Sequence, residues 1–417
     1  WTGDDGSEWV NNSSGILKMV KKEDVVKVDG DFLTYSRNSH TDQLTAGALY
    51  IKGNFTEKLY SYDYYNFNAT GTHRVIFNGE KPQKIQFEKP DSSGFANVTF
   101  ENPNIELTSG IRGFDLNEDI NLIINTESFG VYSRSLKLNG HSVGTGKINE
   151  KETLKFTDGS LDLGGSKVFV DGDLLQSGGT LYIDGGELDI TGDYYLVSDR
   201  GVGNDGNEWM NDSNGVLKMV KEEDVVKVDG NFLTYSRTSH DGQLTAGTMY
   251  VGGNFTEKLY SSYYYNFKAT GTHTVVLDGE GVQNVSFESS QSKFNNLYLT
   301  KEKDTGYTFS PDNCWNKLYI NTAVSKVQIS PTDISLEKGD SLQLKAKVLG
   351  INKPSQKVEW SVEGAQSEGT EISENGLLKI ALRENAQTLT VKAVSAEDNS
   401  KFATVKVKVL PATVTVD

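Results

Sequence analysis

The stretch from Gly6 to His40, GSEWVNNSSGILKMVKKEDVVKVDGDFLTYSRNSH, returns 200 residues later as GNEWMNDSNGVLKMVKEEDVVKVDGNFLTYSRTSH. Roughly two-thirds of the positions from Gly3 to Glu88 are identical in the second copy, which marks a repeat architecture. The copies run on as FANVTF from Phe95 and FNNLYL from Phe294, and the second breaks off near Thr322. Duplication on this scale favours a fold that lengthens by adding units over one closed around a single core.

A shorter rhythm lies inside the long one. Lys167 to Asp199 divides into KVFVDG, DLLQSG, GTLYIDG, GELDITG and DYYLVSD, strand-length pieces of alternating apolar and polar residues. Val168, Val170, Leu181, Ile183, Leu188 and Ile190 point one way and their neighbours the other. The same piece recurs as VKVDGDF at Val26, ALYIKGNF at Ala48, VKVDGNF at Val226 and MYVGGNF at Met249, giving a coil of about twenty residues, a solenoid period.

Two architectures fit this rhythm. Asp-Gly hairpins would give an antiparallel meander or sandwich. A right-handed parallel β-helix would place three short strands in each coil, with Gly, Asn and Asp supplying left-handed corners. A nearly constant coil length with a repeated G-[DN]-[FL] ending favours the β-helix over residues 1–323, with copies at 3–100 and 203–299. The stretch from Asn102 to Arg200 keeps the rhythm and contains no linker, so one continuous body is expected.

The chain has 417 residues, too many for one compact core. Its 57 acidic and 41 basic side chains give a net charge of −16, which disfavours nucleic acid and anionic membranes as partners. No apolar run approaches the roughly eighteen residues of a membrane span. The single cysteine, Cys314, excludes an internal disulfide framework and a cysteine-based zinc site. The abrupt start at Trp1 suggests a fragment without its targeting segments. These features favour an extracellular or cell-surface protein, and they leave the oligomeric state open.

From Val324 the texture changes. Longer strand-like runs, KVQISPTDISLEKGDSLQLKAKV, KVEWSV, GTEISENGLLKI, TLTVKAVS and ATVKVKVL, give the spacing of a β-sandwich, with Trp360 as a core plug. VQISPTDISLEKGDSLQLKAKV, VEWSVEG, ISENGLLKI and TVKAVSAEDNSKFATVKVKV resemble the bacterial immunoglobulin-like domain of group 2 over residues 324–410. The resemblance implies an extracellular spacer or adhesive module of a bacterial protein. PATVTVD, covering 411–417, reads as a linker or the start of a further module. More loosely, residues 1–323 are similar to the glycine-punctuated solenoids of bacterial surface proteins.

No reaction centre is evident. Four of the five histidines, His40, His73, His240 and His273, pair across the repeat, while His141 stands alone, and none has HxH or HExxH spacing. A structural role, capping a turn or bonding backbone, is expected of them. Asp29, Asp31, Asp171, Asp173, Asp193 and Asp229 fall at coil corners, where bonds to backbone account for them. A catalytic site would occur once and depart from the pattern, and no such departure stands out. GDDGSEWVNNSSG and GNDGNEWMNDSNG could hold calcium through Asp5, Glu8, Asp205 and Glu208 without matching a standard ligand spacing. No metal or other cofactor is expected otherwise.

KLYSYDYYNFNATGTH from Lys58 returns as KLYSSYYYNFKATGTH from Lys258. Read as a strand, it cannot bury both alternating sets of tyrosines, so part of the cluster is exposed or packed beneath a loop. Tyr62, Tyr64, Tyr65, Tyr263, Tyr264 and Tyr265, with Trp9 and Trp209, form the candidate ligand-binding set, because aromatic faces with polar tips suit sugars and protein partners. A coil-to-coil tyrosine ladder is the structural alternative. Arg37, Arg134 and Arg237 stand beside tyrosines in sequence, where a guanidinium could lie over a ring.

The favoured function is a non-enzymatic, adhesin-like protein contacting glycan or another surface ligand through repeated patches, which gain avidity on a repetitive ligand. An ancillary region of a large carbohydrate-active enzyme is the second reading, and a β-helix polysaccharide lyase or hydrolase the third.

Overall fold

The computed structural model describes residues 10–61, 65–141, 143–145, 153–203, 206–261, 265–352 and 354–412. The chain divides into two units, Trp1–Tyr298 with Gly306–Tyr319, and Leu299–Thr305 with Ile320–Asp417.

The first unit is a β-solenoid of about 12 turns. Lys167–Val170 pairs in parallel with Glu187–Ile190, which pairs in parallel with Val225–Val228. Such ladders build a 13-stranded and a 10-stranded sheet, and two four-stranded sheets complete the coils. Parallel pairing removes the meander reading. Val168, Val170, Leu181, Ile183, Leu188 and Ile190 are all buried. Full burial of such a side chain stabilises by roughly 1.5–3 kcal/mol. Phenylalanines thicken the core in each copy: Phe55 stacks on Phe32 and Phe255 on Phe287.

The G-[DN]-[FL] motif has a mechanical explanation. Each acid or amide caps the backbone of the next coil: Asp173 Oδ1 accepts from the Asp193 N–H at 2.8 Å, and Asp193 Oδ1 from Asn231 N–H at 2.6 Å. Asn231 Oδ1 then accepts from Asn254 N–H, and Asn254 Oδ1 from Asn284 N–H, both at 2.8 Å. The preceding glycines stack on one another, and a Cβ on Gly253 would lie 2.5 Å from the Gly230 carbonyl carbon. Close approach, not a left-handed backbone, demands glycine at Gly253. Left-handed glycines do occur at other corners, such as Gly179 with φ 71°.

The two copies do not occupy the same faces. The 13-stranded sheet takes Phe32–Thr34 from the first copy but Val225–Val228 from the second, whose Phe232–Thr234 joins the 10-stranded sheet. The second copy is therefore turned by one face about the coil axis.

The second unit is an immunoglobulin-like sandwich. Ile334–Glu337, Phe402–Leu410, Thr388–Ser395 and Val358–Glu363 form one sheet in that order. Ala323–Ser330 with Lys345–Ile351, and Ser341–Gln343 with Leu377–Lys379 and Glu371–Ile372, form the others. Leu344, Leu378, Ile380, Leu389, Val391 and Val407 fill the core, and Trp360 packs against it half-buried.

Candidate ligand cleft

One coil breaks the rhythm. Twenty residues separate Lys167 from its partner Glu187, and 23 separate Val225 from Thr248, but 38 separate Glu187 from Val225. The surplus is an antiparallel hairpin, Tyr194–Val202 with Glu208–Asp212. This is the departure from pattern that the sequence reading does not find. Its first strand starts inside the sheet, where Tyr194 to Val197 are all buried, leaves the sheet pairing after Leu196, and runs into the hairpin, whose register shifts between Val197 and Asp199. Of the first-copy residues equivalent to the hairpin's second strand, 8 and 9 lie outside the described set and 10–12 form no strand.

Between the hairpin and the outer face of the 10-stranded sheet is a cavity of about 270 Å³. Its floor is a register row, Tyr195, Leu233 and Thr256, with Asn231 and Asn254 at one side. The hairpin contributes Val197, Arg200, Glu208, Trp209 and Met210. The Arg200 guanidinium lies over the Tyr195 ring, 3.8 Å from its centroid, and the Tyr195 hydroxyl donates to Asp193. Burial, reinforced by Asp193, raises the Tyr195 pKa and keeps the phenol neutral. Trp209 presses against Gly201, where a Cβ would come within 2.7 Å of the indole, yet it remains 44% exposed. The cleft thus offers an open indole, a guanidinium and neighbouring amide and hydroxyl groups. The nearby carboxylate of Asp193, bonded to two of the lining residues, is already occupied by the Asn231 and Tyr195 donors.

Of the eight predicted ligand-binding residues, Tyr62, Tyr64, Tyr263, Tyr264 and Trp9 lie outside the described set. Trp209 stands in the cleft. Tyr65 and Tyr265 are half-buried, the Tyr65 and Tyr265 carbonyls accept from His40 and His240 N–H, and Lys268 lies 4.5 Å from the Tyr265 ring centroid. The strand reading of this segment is corrected. Strands end at Glu57 and Glu257 and resume at Arg74 and Thr274, so the described tyrosines sit on loops. Tyr60 packs on Tyr35 and Tyr260 on Tyr235, with ring centroids 6.3 and 6.4 Å apart.

Two of the three arginines have polar partners. Arg237 pairs with Asp212 at 3.0 Å, and Arg134 donates to the Phe95 and Ala96 carbonyls. His40 and His240 accept from Leu17 and Leu217 N–H at 3.0 and 3.2 Å, a backbone-bonding role. His73 and His273 instead lie wholly inside the core, edge-on to Phe67 and Phe267. Burial pushes them down to about 4 and about 3, so both stay neutral near pH 7. Of the candidate calcium ligands, Asp5, Glu8 and Asp205 lie outside the described set, while Glu208 is exposed on the hairpin. Burial pushes the Cys314 thiol up to about 12.

Glu57 and Glu257 are buried acids that the sequence pattern does not mark. Glu257 accepts from Ser292 Oγ at 2.8 Å and Ser289 N–H at 2.9 Å, and burial raises its pKa. Also unmarked are Tyr298 and Tyr319, outer-face neighbours whose rings stack at 4.4 Å and are about 40% exposed.

Residues 325–415 match the immunoglobulin I-set domain family. A search of the curated proteins finds no match. An immunoglobulin-like domain in a chain with a β-solenoid fits a surface or adhesin-like protein, and the domain itself fits an extracellular one. Among the described residues, no helix is long and apolar enough to cross a membrane.

Proposed function

We propose that the chain is a non-enzymatic bacterial adhesion protein, secreted or displayed at the cell surface, that binds glycan in the cleft beneath the hairpin. The carrying observation is the exposed Trp209 indole beside the Arg200–Tyr195 stack. Sugar rings present C–H faces that pack on aromatic rings and hydroxyls that bond to amides and guanidinium. Here both kinds of group line one open cavity. The C-terminal domain acts as a spacer of the bacterial group 2 immunoglobulin-like type.

A glycan array probed with the wild type and Trp209→Ala tests the reading. Binding that is lost in the variant, with an unchanged melting profile, supports it. Equal binding by both removes the cleft as the site. Turnover of pectin, alginate or glycosaminoglycan by the chain would replace adhesion with catalysis.

A further inference from the structure

We propose that the immunoglobulin-like domain associates with a second copy of this chain through the free edge of strand Val358–Glu363. One edge of that strand pairs with Thr388–Ser395, and no strand among the described residues pairs with the other. An unpaired edge carries backbone donors and acceptors ready for another strand. The edge borders an open groove of about 1030 Å³ whose lining includes Leu344, Ala346, Val358, Trp360 and Ile372.

Charge complementarity selects the occupant. Pro354 upstream and Gly364, with φ 86°, downstream limit the extended stretch to Lys357 through Glu363. Antiparallel pairing of that whole stretch with its own copy places a twofold axis at Trp360, since an isologous contact must be self-complementary. Lys357 then stands opposite Glu363 of the second copy, twice, and Glu359 stands opposite Ser361. On the inner side Val358 meets Val362 and Trp360 meets Trp360. No like charges face each other, although the chain carries a net charge of −16. Lys357, Glu359, Ser361 and Glu363 are exposed, and neither Lys357 nor Glu363 has an ion-pair partner among the described residues. The result is one continuous sheet across two chains.

Sedimentation velocity of the full chain over a concentration series tests this, with circular dichroism to verify folding. The wild type shows a monomer–dimer equilibrium. Lys357→Glu or Glu363→Lys alone sets like charges opposite each other at two symmetric places, raising the dimer dissociation constant about tenfold. The double swap Lys357→Glu with Glu363→Lys restores association. A wild type that stays monomeric, a dimer indifferent to both single substitutions, or a double swap that stays dissociated overturns the proposal. Trp209→Ala leaves the dimer intact, so failure of glycan binding and failure of this contact are separable.

Discussion

The first and second copies share nearly the same coil sequence but not the same environment. Val226 and Phe232 are fully buried, while Val26 and Phe32 are half-buried and Val25 is 55% exposed. Thr180–Tyr182, Glu187–Ile190 and Tyr194–Val202 cover the second copy, pairing with Val216–Lys218, Val225–Val228 and Phe232–Thr234. Asp24 and Asp224 each hold the turn ahead of the strand, accepting from the backbone N–H groups of residues 20, 21 and 220, 221. Asp224 also accepts from Gly185 N–H at 2.6 Å in the covering coil. Burial in a solenoid is therefore largely a property of the neighbouring coil. The strand supplies only the alternation that makes burial possible.

The largest contrast is expected at the aromatic position. Phe232 sits between Tyr194 and Phe255, at centroid distances of 5.3 and 5.1 Å, whereas Phe32 has Phe55 and Phe67 as its neighbours and, among the described residues, no covering strand. Phe232→Ala should cost about 3–5 kcal/mol in urea unfolding and Phe32→Ala roughly half as much. Equal losses would mean that the first coil is as well covered as the second.

Acid should act on both copies through histidines they share. A group whose folded pKa lies below its unfolded value binds fewer protons when folded. Its stability is then complete above about 6.5 and falls as pH drops toward the folded value. His273, at about 3, should remove about 3 kcal/mol between pH 7 and pH 4. His240 is held at about 4 under the covering coil, and His40 in the first copy is also lowered by burial. Glu57 and Glu257 act in the opposite sense, because burial raises them and their contribution fades as pH rises. The urea midpoint should therefore fall on acidification, and more gently in His273→Leu. Parallel pH profiles for the variant and wild type would show that this buried imidazole is not the sensor.

The solenoid was legible because its period is written in every coil. Alternation at Val168 and Leu188 sets the inward face, and the glycine with its Asp or Asn sets the corner. The sandwich was legible from its strand spacing. The cleft was not, because Tyr195, Arg200 and Trp209 meet only when a hairpin folds back over a sheet. Its one linear trace is the 38-residue step from Glu187 to Val225, hidden by strand-like residues that continue the alternation through YYLVSD. The tyrosine loops misled for a related reason. Alternate tyrosines imitate a strand, while the described ends of the segment lie outside the ladders. The turn by one face was also invisible, since a fixed offset of 200 residues says nothing about how many thirds of a coil it spans. It weakens the avidity idea, because the loops after Phe55–Glu57 and Phe255–Glu257 leave strands of different sheets.

The smallest effect gives the cleanest separation, because it needs no change in sequence context. Gly30 and Gly230 occupy the same motif. A Cβ on Gly230 would lie 2.3 Å from Asp193 Oδ1 and 2.7 Å from the Gly192 carbonyl oxygen, whereas one on Gly30 would meet nothing within 4 Å. The clash at Gly230 is largely with backbone and with the carboxylate that caps Asn231, so relief requires the corner ladder to open. Gly230→Ala should therefore cost about 1–3 kcal/mol. Gly30→Ala should stay within about 0.5 kcal/mol, as surface substitutions do. Matched thermal melts of the two variants decide the point. If Gly30→Ala proves as damaging as Gly230→Ala, the corner glycine is required by the coil's own backbone. If only Gly230→Ala is damaging, the requirement comes from the coil stacked against it.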